Sequence, residues 1–315
     1  MAKNIIPIVF AFDENLIVPA EVCISSLLAS AKPDTFYDIF ILHADGTDLS
    51  TFEAETLKST YGNCNITFRS VGNAFDNAFE IRNITKATYY RLLIPQIITE
   101  YDKIIYADVD IIFRNDLSEV YSTELGNNYI AATYDIGMNL IDGWKKHIVK
   151  TPGLEIGSYI QAGFLIFNCK KLRDDDMVST FCDMIPHKYK FQDQDILNIS
   201  CANRITILPW YYNITNNTLY FLNHEPGMII PKYISSNFSK VKQLGNLHFN
   251  GQKPWKEYCV NFDIWWEFYR KSPLYDEKYH FDFFYNKLDE YDHLTLWKRV
   301  KILLRFFVFG RKHKL

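Results

Sequence analysis

Asp108 and Asp110 stand one residue apart inside an otherwise apolar run, DKIIYADVDIIF (residues 102–113). An ionised carboxylate taken out of water without a partner is heavily penalised, so a pair at a buried strand end calls for a compensating charge. A divalent cation would supply one, and paired carboxylate oxygens suit a hard ion such as magnesium or manganese. The plainer alternative is a solvated acidic turn after a strand, because D-x-D is short and arises often by chance.

Such a pair needs a frame. NIIPIVFAFD reads as a buried strand, PAEVCISSLLASA has helical apolar spacing, YDIFILHAD is a second strand, and a helix at about 50–60 leads to NITFRSV. This β-α-β-α-β order predicts a parallel sheet covered by helices, with ligands beyond the carboxyl ends of the strands. Asp13 and Asn15 follow the first strand, on the rim that also receives Asp108 and Asp110. Later the alternation loosens: NYIAATYD, YIQAGFLIFN and RITILPWYYN read as strands, and CKKLRDDDMVSTFCDMI and QDQDILNISCA as helices. The sequence has no repeat, P-loop, G-x-G-x-x-G or G-x-S-x-G elbow.

Composition narrows the classes further. A net charge of -3 over 315 residues excludes a globally basic nucleic-acid footprint. Six scattered cysteines form no C-x-x-C pair and read as reduced thiols, and the amino terminus lacks the pattern of a secretory signal. A cytoplasmic setting follows, in which the N-x-S/T sequons at Asn65, Asn83, Asn198, Asn213, Asn216 and Asn237 are not glycosylation sites.

Four further stretches accompany YADVD in a fixed order: YYRLLIP before it, then YIQAGFLIFN, YKFQDQDILN and LHFNGQKPW. Over about residues 5–258 the chain resembles the family 8 glycosyltransferases, the retaining group that includes glycogenin and bacterial lipopolysaccharide and lipooligosaccharide hexosyltransferases. The resemblance implies an α/β fold of the GT-A type, a Rossmann-like mixed sheet flanked by helices. It also implies a UDP-sugar donor and a manganese (or magnesium) ion held by Asp108, Asp110 and His248. Gly251 and Lys253 would then meet the diphosphate, Asp13 and Asn15 the uridine and its ribose, and Arg91 the donor from a helix. Asp193 and Gln194 would touch the donor sugar as the catalytic pair.

Each residue also has a plainer role: a cap for Asp13, an exposed helix position for Arg91, a solvated Lys253, a satisfied buried His248. Glutamine is a poor nucleophile, so the resemblance supports a front-face substitution over a covalent intermediate. Asp195 is expected to order the helix that follows. Two departures stand out: Gln161-Ala162-Gly163 replaces the usual Asn-Ala-Gly, and only Gln252 separates Gly251 from Lys253. The longer amide of Gln161 is expected to contact a different donor hydroxyl.

The division expected is a catalytic domain over 1–260 and a helical region over 261–315. Its tail, LWKRVKILLRFFVFGRKHKL, carries Lys298, Arg299, Lys301, Arg305, Arg311, Lys312 and Lys314 without one acid. Leu296, Val300, Leu303, Leu304 and Phe307 recur at helical spacing, which predicts a basic amphipathic helix. It is too short for a bilayer, which needs roughly 20 apolar residues. Residues 294–315 are therefore read as a peripheral anchor to the anionic inner face of the plasma membrane, the alternative being a helix packed on the catalytic domain.

These readings converge on a metal-dependent hexosyltransferase. It would move a sugar from a UDP-sugar to a saccharide or glycolipid acceptor, in lipopolysaccharide, capsule or other surface-glycan synthesis. Two alternatives are a catalytically silent sugar-nucleotide-binding homologue and a haloacid-dehalogenase-like phosphatase. The latter expects its D-x-D near the start of the domain.

Overall fold

The structure is a computed structural model that describes residues 4–75, 78–80, 85–230, 232–234 and 245–309. Seven strands form the main sheet: β1 (Asn4–Ala11), β2 (Thr35–His43), β3 (Cys64–Ser70), β4 (Lys103–Ala107), β6 (Ile130–Tyr134), β7 (Ile160–Asn168) and β8 (Ile205–Ile207). They lie in the order β3-β2-β1-β4-β7-β6-β8. β3, β2, β1 and β4 run parallel, as the alternation predicts, whereas β7 is antiparallel to both of its neighbours.

The apolar strands are buried on both faces. Ile6, Ile8 and Phe10 of β1 pack with Ile39 and Ile41 under the helix Ile17–Ala29. Val9, Phe40, Leu42, Ile104 and Leu165 point the other way, toward the segments around Tyr89, Phe181 and Leu197. Successive side chains on opposite faces are what a two-residue period requires.

TKATYYRLLIPQII is expected to be one helix. The structure makes it a 3-10 segment, Lys86–Leu93, followed by a single helical turn, Ile94–Ile97. Pro95 sits in the first turn of the second piece, where its missing N–H costs nothing but separates it from the first. CKKLRDDDMVSTFCDMI likewise divides, into Cys169–Asp174 and Met177–Met184, with Asp176 in a left-handed conformation at φ 48°.

A second, small sheet, β5-β10-β9, carries the rest of the site: β5 (Ile111–Ile112), β9 (Ile214–Thr215) and β10 (Leu247–His248). Asp108 to Asp110 form the bridge from β4 in the large sheet to β5 in the small one. The apolar run is therefore two strands in two sheets, with the acidic pair at the changeover.

Among the described residues three helices follow residue 260. Trp265, Trp266 and Tyr269 of the helix Phe262–Lys271 are buried in one cluster with Val22, Ile112 and Leu247, so this helix packs into the same body as the small sheet. The helix Glu277–Asp292 buries none of its residues, and Leu296–Phe309 follows it. Among the described residues no helix is long and apolar enough to cross a membrane.

Candidate metal and donor-sugar site

Strand register assembles the site. The β4–β7 pairing ends with Ala107 opposite Phe164, and one further bond, Asp108 N–H to Gly163 O at 2.8 Å, places Gly163 beside Asp108. In the small sheet His248 pairs with Ile111, and Phe249 N–H donates to Asp110 O at 2.9 Å. Both sheets thus deliver side chains to one point. One ligand atom from each of Asp108, Asp110 and His248 lies within 4.8 Å of the other two.

The residues fit a cation on two observations. His248 Nε2 lies 3.1 Å from Asp110 Oδ1 and 3.7 Å from Asp108 Oδ2, and Asp110 Oδ1 is buried without receiving a hydrogen bond. An oxygen left so would be costly, and a divalent ion satisfies it. A Cβ on Gly163 would stand 2.3 Å from His248 Cε1 and 2.6 Å from Asp108 Oδ2, so this position accepts no side chain. Burial raises the Asp110 carboxyl, but the Lys253 ammonium outweighs that and holds it below the usual range. Lys253 donates to Asp110 Oδ2 and, at 2.7 Å, to Phe249 O. The short Gly251–Lys253 spacing therefore still lets the ammonium reach the site.

Arg91 is buried, not exposed on its helix. Its guanidinium lies over the Tyr106 ring at 4.3 Å, donates to Asp108 Oδ1 at 2.9 Å and to Ala162 O, and pairs with Asp193 Oδ2 at 3.1 Å. Tyr106 Oη adds a hydrogen bond to Asp108 Oδ1 at 2.8 Å. Burial opposes a charge on Arg91, but Asp108 and Asp193 override it and keep it protonated. Burial also pushes the Asp193 carboxyl up to about 6, against the pull of Arg91.

Asp193 and Gln194 open the helix Gln192–Ser200, behind a Gln192 held at φ 46°. That conformation costs a non-glycine residue about 1 kcal/mol or more and persists where surrounding contacts fix it. Gln194 Oε1 accepts from Ala162 N–H at 3.0 Å, and its Nε2 donates to Asp135 Oδ2 at 3.2 Å. Asp195 orders this helix, as expected: its carboxylate accepts from Phe191 N–H at 2.9 Å, Tyr159 Oη at 2.6 Å and His147 Nε2 at 2.9 Å.

Asp13 and Asn15 stand just beyond β1, next to the end of β4, but Asp13 caps a short turn there, accepting from Asn15 N–H at 3.0 Å. Gln161 Oε1 accepts from Gly163 N–H and Asn213 Nδ2, both at 2.6 Å. Two residues of this site are unmarked by sequence motif. Asp135, a buried carboxylate raised by that burial, holds Gln194, and Asn213 accepts from His248 Nδ1 at 2.8 Å. The one signal that could have pointed to Asn213 is its place two residues before the strand–helix junction at Thr215; being buried, it offers no sequon to solvent.

The model for glycosyl transferase family 8 matches residues 7–259. The chain belongs to that family. Among family 8 relatives, a lipopolysaccharide 1,3-galactosyltransferase of Salmonella typhimurium is 27% identical over 227 residues, which is 69% of this chain and 65% of that protein. A Haemophilus influenzae protein is 31% identical over 205 residues, 61% of each chain. This chain thus spans a little under two thirds of these relatives' length. The crystal structure of the galactosyltransferase LgtC with donor and acceptor sugar analogues has a TM-score of 0.71 at 26% identity, covering 87% of this chain and 99% of that one. An active-site mutant of LgtC gives a TM-score of 0.72 over the same shares. The fold is therefore of the GT-A type, and the D-x-D lies after the fourth strand, where the phosphatase reading does not put it.

Proposed function

We propose that this protein is a metal-dependent, retaining hexosyltransferase that moves a sugar from a UDP-sugar to a saccharide or glycolipid acceptor of a cell-surface glycan such as lipopolysaccharide or capsule. The observation that carries the reading is the convergence of Asp108, Asp110 and His248 at the junction of two sheets in a family 8 chain. A manganese or magnesium ion there would offset the negative charge that grows on the diphosphate as UDP departs. Lys253, beside Gly251, adds a second positive charge on the same side. Asp13 and Asn15 are assigned to the nucleoside at the neighbouring strand end.

Arg91, paired with both Asp193 and Asp108, would hold Asp193 in place to fix the donor sugar relative to that charge. Gln194 is held at both ends of its amide, so it orients the sugar and does not attack it. A front-face course follows: the bond from the anomeric carbon to the UDP oxygen breaks, the acceptor oxygen bonds to the same face, and the acceptor proton passes to the leaving diphosphate. Support for peripheral membrane attachment comes from the last described helix. Leu296, Trp297, Leu303, Leu304 and Phe307 on it are all more than half exposed, with Lys298, Arg299 and Lys301 between them. Arg311, Lys312 and Lys314 lie outside the described residues.

The test is release of free sugar and UDP from a panel of UDP-sugars, with and without Mn2+, in wild type and Asp110→Ala. Slow hydrolysis of one donor, dependent on metal and absent in the variant, is expected and names the sugar. If no donor turns over and calorimetry shows no binding of UDP with Mn2+, the assignment fails. Binding without turnover on any acceptor would leave the silent homologue.

A further inference from the structure

We infer that Gln161 and Asn213 form a hydrogen-bond relay that sets the tautomer of His248, and so decide whether this imidazole can hold a metal ion. The inference rests on the proposed metal site. The relay starts at a group whose polarity is not open to choice, the backbone N–H of Gly163. It donates to Gln161 Oε1 at 2.6 Å, so that amide atom has to be the oxygen. The same oxygen faces Asn213 at 2.6 Å, and since it accepts, Asn213 presents its Nδ2 amine there. Asn213 Oδ1 is thereby turned to His248 Nδ1, 2.8 Å away.

A carbonyl oxygen only accepts, so Nδ1 carries the hydrogen. A neutral imidazole has one N–H. Nε2 is then bare, and its lone pair faces Asp110 Oδ1 at 3.1 Å and Asp108 Oδ2 at 3.7 Å. Three electron-rich atoms converge with no proton among them, which suits a cation and little else. Gln161, Asn213 and His248 are each at most 6% exposed, so water does not compete for these bonds.

The alternative arrangement shows what the relay prevents. Without the Gln161 oxygen, Asn213 is free to turn over and offer its amine to Nδ1. The proton would then move to Nε2, where it would meet the carboxylates and block coordination. Gln161 and Asn213 are thus positioning residues that act through His248. The amide of Gln161, which stands where the family usually has asparagine, reaches both Gly163 N and Asn213.

The experiment uses the full chain labelled with 15N-histidine. In metal-free wild type, at a pH where the ring is neutral, two-bond 15N–1H correlations are expected to show His248 as the Nδ1–H tautomer, the signal being assigned by its loss in His248→Gln. An Nε2–H tautomer would overturn the inference, whatever any variant does. Gln161→Leu, of similar volume, is expected to shift His248 toward Nε2–H and to weaken Mn2+ binding in the presence of UDP about 10- to 100-fold, read by the electron paramagnetic resonance of free Mn2+. Gln161→Glu keeps an accepting oxygen for both donors and is expected to retain the Nδ1–H form. Unchanged Mn2+ binding and an unchanged tautomer in Gln161→Leu would sink the relay. If wild type itself binds no Mn2+, the metal site fails as a reading, while the tautomer measurement still decides the relay.

Discussion

At the scale of single residues the site works by exclusion as much as by attraction. Gly163 is the clearest case, because the space where its side chain would begin is already taken by His248 and Asp108. Gly163→Ala is expected to push the imidazole and the carboxylate apart and to weaken Mn2+ binding about tenfold or more, with hydrolysis of the UDP-sugar falling in step. A titration that gives wild-type affinity would show the site to be looser than these distances imply.

Asp108, Asp110, His248 and Lys253 were legible in the sequence because each lies in a contiguous run of distinctive neighbours. Asn213 and Asp135 were not, because their importance arises from pairings between strands and helices far apart in the chain. Arg91 was visible as a residue but not as a buried one. Its burial depends on Tyr106 offering a ring face and on two carboxylates arriving from different elements.

At the scale of elements, the helix Ile17–Ala29 contains a carboxylate that weakens the fold at neutral pH. Glu21 is buried, its Oε1 accepts from Glu53 N–H at 2.9 Å, and burial pushes its carboxyl up to about 7 from an ordinary 4.5. An acid whose folded value is raised holds its proton in the native state, so stability is lost as pH climbs from 4.5 to about 7. Glu21→Gln keeps the accepting oxygen and removes the charge. It is expected to stabilise the protein by about 1–3 kcal/mol at pH 8 and to change little at pH 4. Urea titrations at the two pH values check this, and an equal effect at both would contradict it. The parallel half of the sheet followed from apolar periodicity, since that signal is local. The reversal at β7 did not, because YIQAGFLIFN is buried on both faces and reads the same in either direction.

For the whole molecule, the expected boundary near residue 260 meets a body that continues past it. Trp265, Trp266 and Tyr269 complete the cluster beside the small sheet, and Tyr279, Phe283 and Phe284 of the helix Glu277–Asp292 pack against it from outside. Removal of everything after about residue 290 is therefore expected to leave the catalytic fold intact and to abolish binding to vesicles containing anionic lipid. Full-length binding should weaken as salt is raised. Co-sedimentation with such vesicles gives the answer, and undiminished binding of the shortened chain would refute the membrane reading.

The junction of the two sheets has a thermodynamic meaning as well. Asp108 and Asp110 follow the end of an inner strand of the large sheet, and His248 lies on the middle strand of the small one, far away along the chain. A single ion gripped between them would bind the folded chain and not the unfolded one, so it would stabilise the fold in proportion to how tightly and at what concentration it binds. Loading the metal would then also raise the resistance of the whole fold to unfolding, and emptying the site would give that increment back.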